Sequence, residues 1–167
     1  MKIILIGMMG CGKTTIGKEL AQSLTDYKYI DIDEEIEKST QKKISEIFLH
    51  HGEAFFRELE TKKIRKFCKL EKNLIISTGG GAFENEENRK LMLDDSLVIY
   101  LKTSPEEIFD RIKNETHRPL LRKDFSVKKI ASLIKLREKN YKKAKITIDT
   151  DKKTPYNIVQ EILKKLW

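Results

Sequence analysis

A nine-residue stretch near the N-terminus, GMMGCGKTT at residues 7–15, constrains the fold more than any other feature of the chain. It matches the pattern G-x-x-x-x-G-K-[ST] through Gly7, Gly12, Lys13 and Thr14. An apolar run precedes it and apolar residues at helical spacing follow it, so the stretch joins a strand to a helix. Glycines let backbone N–H groups surround phosphate oxygens, and the helix N-terminus adds partial positive charge. The stretch therefore predicts a nucleotide phosphate site rather than a turn that merely packs.

Within this phosphate loop, each residue type has an expected role. Lys13 is expected to reach the β- and γ-phosphates of the nucleotide, and Thr14 to hold Mg²⁺. Cys11 is expected to be a small filler and not a nucleophile. The loop alone does not distinguish a GTPase, an ATPase motor and a small-molecule kinase, so the rest of the chain must decide.

Short β-branched runs alternate with longer amphipathic segments along the chain, a pattern typical of a parallel sheet covered by helices. Strands are predicted at 2–6, 28–31, 73–77, 96–101 and 145–149. Helices are predicted near 13–25, 33–39, 44–51, 53–69, 85–93, 104–113, 126–143 and 155–166. Ser104 and Thr154 are expected helix caps because a proline follows each of them. The polar segment at 114–124 is expected to belong to a mobile lid over about 112–124.

Length and composition favour one domain over residues 1–167, because a chain of 167 residues suits a single core. The sequence contains no run of 18 apolar residues, and its N-terminus is too quickly charged for a signal peptide. Cys11 and Cys68 lack a CxxC pattern, which indicates reduced thiols. We therefore expect a cytoplasmic protein with no membrane contact.

The net charge of +8 is compatible with either a nucleic-acid binder or an enzyme that acts on anionic substrates. Most of the basic residues are lysines that stand beside glutamates in predicted helices, which favours a solvated surface. The chain also lacks an aromatic stacking platform and a recognisable docking motif for nucleic acid. We therefore expect a small-molecule substrate and no nucleic-acid partner.

Two carboxylates, Asp31 and Asp33, follow the second predicted strand. The carboxyl ends of parallel strands open onto the ligand crevice, so both acids are expected near the phosphate loop. One of them could anchor water on Mg²⁺ while the other orients an attacking hydroxyl group. The alternative is that Asp33 is the N-cap of the next helix, which need not exclude the functional role.

A second set of residues indicates an acceptor site. Arg57 and Glu60 lie one helical turn apart, where they can pair. The third strand ends in Gly79, Gly80 and Gly81, which are more readily explained by close approach of a ligand than by a plain turn. Together with Arg137 on the long helix, this pattern favours an acceptor that carries a carboxylate.

The set GMMGCGKTT, DID, GEAFFRELE, TGGG, RPLL and R…Y, in this order over about residues 2–165, resembles the shikimate kinase family. The resemblance implies an α/β P-loop kinase of nucleoside-monophosphate-kinase type, with a five-stranded parallel sheet of order 2-3-1-4-5. It also implies ATP-dependent phosphorylation of the 3-hydroxyl of shikimate, a step of chorismate and aromatic amino-acid biosynthesis. One departure is TQKKISEIF, where many members carry a glycine before the isoleucine; it touches no catalytic position.

The resemblance further implies residue roles at matching positions. The implied catalytic residues are Lys13, Asp33 and Arg118. The implied ATP-binding residues are Gly10, Cys11, Gly12, Lys13, Thr14, Thr15 and Arg118, with Arg111, Lys153 and Pro155 flanking the adenine. The implied shikimate-binding residues are Asp33, Arg57, Gly79, Gly80, Gly81 and Arg137, in a substrate region that includes about 33–60. The implied metal site is Thr14 with Asp31 in its outer shell, and the implied pocket walls are Phe48, Phe56, Pro119 and Leu120.

The nearest rival is another small-molecule kinase, such as a gluconate kinase or a nucleoside monophosphate kinase. Such kinases share the phosphate loop and the lid, but the combination of DID, GGG and Arg57 argues against them. A monomer is the expected oligomeric state.

Overall fold

The computed structural model describes residues 1–113 and 126–166. Arg118, Pro119, Leu120 and most of the predicted lid therefore lie outside the described residues. Within the described part, no helix combines the length and the apolar character needed to cross a membrane.

Five parallel strands form one sheet of order β2-β3-β1-β4-β5, as predicted. The strands are β1 (Lys2–Ile6), β2 (Lys28–Asp31), β3 (Leu74–Ser77), β4 (Leu97–Lys102) and β5 (Ile146–Asp149). The helices are α1 (Lys13–Ser23), α2 (Ile32–Thr40), α3 (Ile44–Lys69), α4 (Glu86–Asp94), α5 (Pro105–Ile112), α6 (Val127–Tyr141) and α7 (Pro155–Leu166). A short 3-10 helix, Ala82–Glu84, which the sequence did not predict, follows the triple glycine.

The central strand β1 is buried along its whole length, and its side chains supply both faces of the sheet. Ile4 and Ile6 join one hydrophobic cluster, whereas Ile3 and Leu5 join another. Because side chains alternate across a strand, a continuous apolar run is what a sheet covered on both faces requires.

The predicted helix starts at Ser104 and Thr154 are confirmed by hydrogen bonds. The Ser104 hydroxyl accepts from the N–H of Glu107 at 3.3 Å, and the Thr154 hydroxyl accepts from the N–H of Asn157 at 3.2 Å. Both caps satisfy N–H groups that would otherwise lack a partner in the first helical turn.

The two helices predicted at 44–51 and 53–69 form a single bent helix, α3. Gly52 lies at the bend with φ 79° and ψ 173°, a backbone conformation that side chains other than glycine rarely adopt. The bend separates the segment that carries Phe48 from the segment that carries Arg57 and Glu60.

Candidate active site

The phosphate loop leaves the N-terminus of α1 open to an anion. Gly12 occupies the N-cap position in the left-handed conformation, with φ 95° and ψ 12°, and no side chain of the described residues caps the helix. The first turn of α1 contains no acidic residue. The N–H groups and the positive end of the helix dipole are therefore available to phosphate oxygens.

The ammonium group of Lys13 lies against the same loop. Its Nζ donates to the carbonyl oxygens of Gly7 and Met8, each at 2.9 Å, and lies 3.5 Å from Cys11 Sγ. No carboxylate of the described residues pairs with this ammonium group, so its positive charge is not neutralised by a neighbour. Cys11 itself is fully buried, as expected of a small filler.

The Asp31 carboxylate links the phosphate loop to α2. Oδ2 accepts from the hydroxyls of Thr14 at 3.2 Å and Tyr29 at 3.1 Å. Oδ1 accepts from the N–H groups of Asp33 at 3.0 Å and Glu34 at 3.3 Å. Asp31 is therefore the N-cap of α2, and the interpretation of Asp33 as that cap is wrong: Asp33 lies inside the first turn. This arrangement leaves the Asp33 carboxylate facing the site.

The triple glycine at the end of β3 is closely surrounded. A Cβ atom would lie 2.6 Å from Glu60 Oε1 at Gly79, 3.4 Å from Arg137 Nη1 at Gly80, and 2.7 Å from Arg57 Nη2 at Gly81. Each glycine thus faces a different charged side chain. A side chain at Gly79 or Gly81 would require Glu60 or Arg57 to move, whereas at Gly80 the nearest atom would be the backbone N of Met9 at 3.2 Å.

Arg57 is held by two glutamates of its own helix. Its Nη1 donates to Glu60 Oε2 at 2.8 Å, and its Nε and Nη2 donate to Glu53 Oε1 at 3.3 and 3.1 Å. The predicted pairing of Arg57 with Glu60 is therefore confirmed. The Glu60 side chain is 0% exposed, whereas that of Glu53 is 55% exposed. Burial raises the pKa of Glu60 above its ordinary value, although the neighbouring Arg57 charge opposes the shift.

Helix α6 brings a second arginine to the triple glycine. Arg137 Nη1 lies 3.5 Å from Met8 Sδ, beside the phosphate loop. One helical turn later, the hydroxyl of the fully buried Tyr141 donates to the carbonyl oxygen of Gly80. The ring of Tyr141 stacks on Tyr100 with centroids 4.9 Å apart. Sequence reasoning noted the Arg137 and Tyr141 pair without assigning the tyrosine a role; their four-residue spacing on one helix face was the available signal.

A cavity of about 350 Å³ connects these parts. The predicted site residues that line it are Gly10, Gly12, Lys13, Thr14, Thr15, Asp31, Asp33, Gly79, Gly80 and Arg111. Met9, Ser77, Thr78 and Ile112 also line it and were not predicted. Arg57, Gly81 and Arg137 are not among the described residues that line it; Arg57 lies against Gly81, and Arg137 lies against Gly80. The residues predicted for the phosphates therefore share the cavity with Asp33, Gly79 and Gly80, whereas the two arginines lie behind the triple glycine.

The predicted adenine-flanking residues separate into two places. Arg111 lines the cavity, pairs with Glu107 at 3.1 Å and donates to the carbonyl oxygen of Thr150 at 3.4 Å. Lys153 instead pairs with Glu161 of α7 at 2.7 Å, and Pro155 begins that helix. Neither Lys153 nor Pro155 is among the described residues that line the cavity.

Two aromatic residues predicted as pocket walls are in contact. The rings of Phe48 and Phe56 lie 4.9 Å apart, and the Arg57 guanidinium carbon lies 5.2 Å from the centroid of Phe56. The bend of α3 thus places an aromatic pair beside the arginine.

Comparison with known proteins gives a consistent result over nearly the whole chain. A family model described as shikimate kinase matches residues 9–167. The shikimate kinase of Persephonella marina is 46% identical over 164 residues, covering 98% of each chain. That of a Sulfurihydrogenibium species is 44% identical, covering 98% of this chain and 96% of the relative.

Solved structures give the same result. The shikimate kinase of Acinetobacter baumannii in complex with shikimate has a TM-score of 0.94 at 36% identity, covering 99% of this chain and 92% of the other. The shikimate kinase of Aquifex aeolicus has a TM-score of 0.85 at 37% identity, covering 99% of this chain and 96% of the other.

Proposed function

The chain belongs to the shikimate kinase family, and on this premise we propose a role in the reaction for each of its site residues. The reaction is ATP-dependent phosphorylation of the 3-hydroxyl of shikimate, which yields shikimate 3-phosphate and ADP. Phosphoryl transfer depends mainly on positioning the reactants and on stabilising the charge of the transferring group.

The phosphate loop fits the triphosphate of ATP. The uncapped N-terminus of α1 and the unneutralised ammonium group of Lys13 both favour polyanionic ligands. Lys13 exchanges its bonds to the loop carbonyls for bonds to phosphate oxygens.

Thr14 and Asp31 fit a magnesium ion that retains water and phosphate ligands. The described residues contain no group of three or more His, Cys, Asp or Glu side chains that could hold a metal, but Mg²⁺ in kinase sites takes few protein ligands. The Thr14 hydroxyl is the proposed direct ligand, and the Asp31 carboxylate accepts from the water around the ion. Bound Mg²⁺ supplies positive charge that neutralises the phosphate oxygens during transfer.

Asp33 is the proposed partner of the reacting hydroxyl. It lies in the first turn of α2 and lines the cavity together with Lys13 and Gly80. A carboxylate there accepts a hydrogen bond from the shikimate hydroxyl, orients it toward the phosphate loop and takes its proton.

Arg57 and Arg137 are the proposed partners of the shikimate carboxylate. Charge-assisted hydrogen bonds from guanidinium groups suit a planar carboxylate, and both side chains border the triple glycine. Glu60 holds Arg57 in place and is buried too deeply to reach solvent. Because Glu60 and Glu53 already offset the charge of Arg57, the attraction for the shikimate carboxylate depends on Arg137 as well.

Arg118 remains the predicted lid arginine, outside the described residues. In that role its guanidinium binds the transferring phosphoryl group. Removing it should lower kcat and kcat/KM together while leaving the dissociation constant for shikimate nearly unchanged.

One observation carries the proposal: Lys13, Asp33 and Gly80 line the same cavity. A coupled assay of ADP release with shikimate, quinate and gluconate tests it. We expect turnover with shikimate to exceed turnover with the other two. Equal turnover with gluconate would contradict the assignment of the arginines to a carboxylate in the geometry of shikimate.

The monomeric state, the cytoplasmic location and the lack of nucleic-acid and membrane partners remain predictions. Sedimentation of the purified protein with and without both substrates measures the first of them.

A further inference from the structure

The triple glycine forms a tight turn with a defined geometry. The N–H of Ala82 donates to the carbonyl oxygen of Gly79 at 3.1 Å, which makes Gly80 and Gly81 the two central residues of a four-residue turn. Gly81 has φ −95° and ψ −9°, and Gly80 is not among the glycines with positive φ. These values describe a type I turn.

Glycine at both central positions makes this turn able to switch. A type II turn differs from a type I turn by reversal of the central peptide, and it requires positive φ at the third residue, where glycine is favoured. Reversal of the peptide between Gly80 and Gly81 would turn the Gly80 carbonyl and the Gly81 N–H to opposite sides. Backbone preference alone does not select the observed form.

Tyr141 favours one of the two orientations of the Gly80–Gly81 peptide. Its hydroxyl donates to the Gly80 carbonyl; with the peptide reversed, the hydroxyl could accept from the Gly81 N–H, but its own proton would lose its acceptor in a buried position. The side chain is fully buried and its ring stacks on Tyr100, so the hydroxyl cannot move aside easily. Burial raises the pKa of Tyr141 although the neighbouring Arg137, which also interacts with this hydroxyl, opposes the shift, and the phenol stays protonated as a donor.

Neighbouring carbonyl groups of the same segment are held in a similar way. Asn88 Nδ2 donates to the carbonyl oxygen of Ala82 at 3.1 Å, and Arg89 Nη1 donates to that of Phe83 at 2.9 Å. These bonds fix the segment after the turn. The Gly80–Gly81 peptide is therefore the part of the segment that depends on Tyr141.

We propose that Tyr141 is a positioning residue that holds the Gly80–Gly81 peptide in one of its two orientations, so that the Gly81 N–H points away from Tyr141 and donates to the shikimate carboxylate. C=O and N–H of a trans peptide point in opposite directions, so a bond to the Gly80 carbonyl determines the direction of the Gly81 N–H. That N–H has no acceptor among the described residues, and Gly81 lies against Arg57. The inference rests on the proposed acceptor site.

Tyr141→Phe and Tyr100→Phe form a matched pair of variants. Both remove one hydroxyl from the same stacked pair of rings, but the Tyr100 hydroxyl makes no hydrogen bond to a described residue. Tyr141→Phe should weaken shikimate binding by roughly three- to tenfold, the effect of one lost hydrogen bond, and leave ADP binding unchanged. Tyr100→Phe should leave both dissociation constants unchanged.

Equilibrium titrations with shikimate and with ADP distinguish the outcomes. Unchanged shikimate binding in Tyr141→Phe overturns the inference. The inference is also overturned if Tyr141→Phe and Tyr100→Phe weaken shikimate binding equally, or if Tyr141→Phe weakens ADP binding as much as shikimate binding. Either result would indicate that the tyrosine serves general packing. If Arg57→Ala leaves shikimate binding intact, the proposed acceptor site itself is wrong, so the two failures are distinguishable.

A spectroscopic test does not depend on the variant's folding. The chain has only 8 glycines, so labelling with ¹⁵N-glycine gives a simple amide spectrum of the wild-type protein. Saturating shikimate should shift the Gly81 amide resonance of the wild-type protein, and the shift should be smaller in Tyr141→Phe. A Gly81 resonance in the wild-type protein that does not respond to saturating shikimate overturns the inference.

Discussion

The two halves of the active site are built differently. The phosphate side is formed mostly by a continuous stretch, residues 7–15, whose backbone groups and one lysine face the cavity. The acceptor side is formed by side chains from α3 and α6 that meet around three glycines after β3. The first half depends on local backbone conformation, whereas the second depends on tertiary packing between distant segments.

This difference predicts separable defects. Changes on the phosphate side should reduce turnover and nucleotide binding while shikimate binding persists. Changes on the acceptor side should weaken shikimate binding while nucleotide binding persists. A variant that weakened nucleotide binding and shikimate binding equally would contradict this separation of the two sides.

The largest effect is expected from Lys13→Met. It removes the ammonium group that we propose binds the nucleotide phosphates, so turnover should fall below detection while the fold is retained. Steady-state assays, circular dichroism and shikimate titration measure the three quantities. Near-normal turnover, or loss of the folded spectrum, would contradict the assigned role.

Asp33→Asn should have the next largest effect. It keeps the shape of the side chain but removes the carboxylate that we propose acts on the acceptor hydroxyl, and loss of such a group typically costs about 10²–10⁴-fold in rate. Turnover should therefore fall much more than the affinity for ATP. A collapse of ATP affinity would instead place Asp33 in the metal site.

Arg57→Ala and Arg137→Ala should weaken acceptor binding. Each removes a charge-assisted hydrogen bond worth about 1.5–3 kcal/mol, or roughly tenfold to over a hundredfold in affinity. Calorimetric titration with shikimate measures the loss. A shikimate analogue with a neutral amide in place of the carboxylate is the control: equal weakening for acid and amide would show that the arginines are only structural.

A smaller effect is expected from the glutamates that hold Arg57. Glu60→Gln and Glu53→Gln both remove one negative charge beside the same guanidinium group, but Glu60 is buried and Glu53 is half exposed. Because exposed ion pairs contribute about 0–1 kcal/mol, Glu53→Gln should change shikimate affinity little. Glu60→Gln should weaken it several-fold. If shikimate titrations showed a larger loss of affinity for Glu53→Gln than for Glu60→Gln, the exposed pair with Glu53 would be the one that positions Arg57.

The smallest expected effect concerns pH and stability. Burial raises the pKa of Glu60 in the folded state, so the folded protein binds more protons than the unfolded chain just above pH 4.5. The stabilising contribution of this group is therefore present at low pH and is lost as pH rises through the raised pKa. The free energy of unfolding of the wild type, relative to Glu60→Gln, should fall over that range in urea titrations. A rise with pH would mean that pairing with Arg57 outweighs burial.

The phosphate side could be predicted from the sequence more completely than the acceptor side. The positions of the strands and the phosphate loop could be predicted because hydrophobic periodicity and the loop pattern are local signals. The strand order followed only from the resemblance to the shikimate kinase family. The role of Asp31 as the cap of α2 could not be predicted, since both aspartates of DID suit that role and only the backbone shows where β2 ends. The hydrogen bond from Tyr141 to Gly80 joins residues 61 positions apart, and no local pattern specifies it.

The surroundings of the three glycines also limit how the enzyme can evolve. An alanine at any of the three positions would bring a methyl group against Glu60, Arg137 or Arg57. At Gly52 a methyl group would meet no atom of the described residues within 4 Å, chain neighbours aside, so glycine is required there only for its backbone angle. In a library selected for growth without aromatic amino acids, we expect codons for other residues to disappear from positions 79–81 sooner than from position 52. We therefore expect acceptor preference to drift mainly through substitutions on the helices around the turn, because an added methyl group at Gly79 or Gly81 would require Glu60 or Arg57 to move.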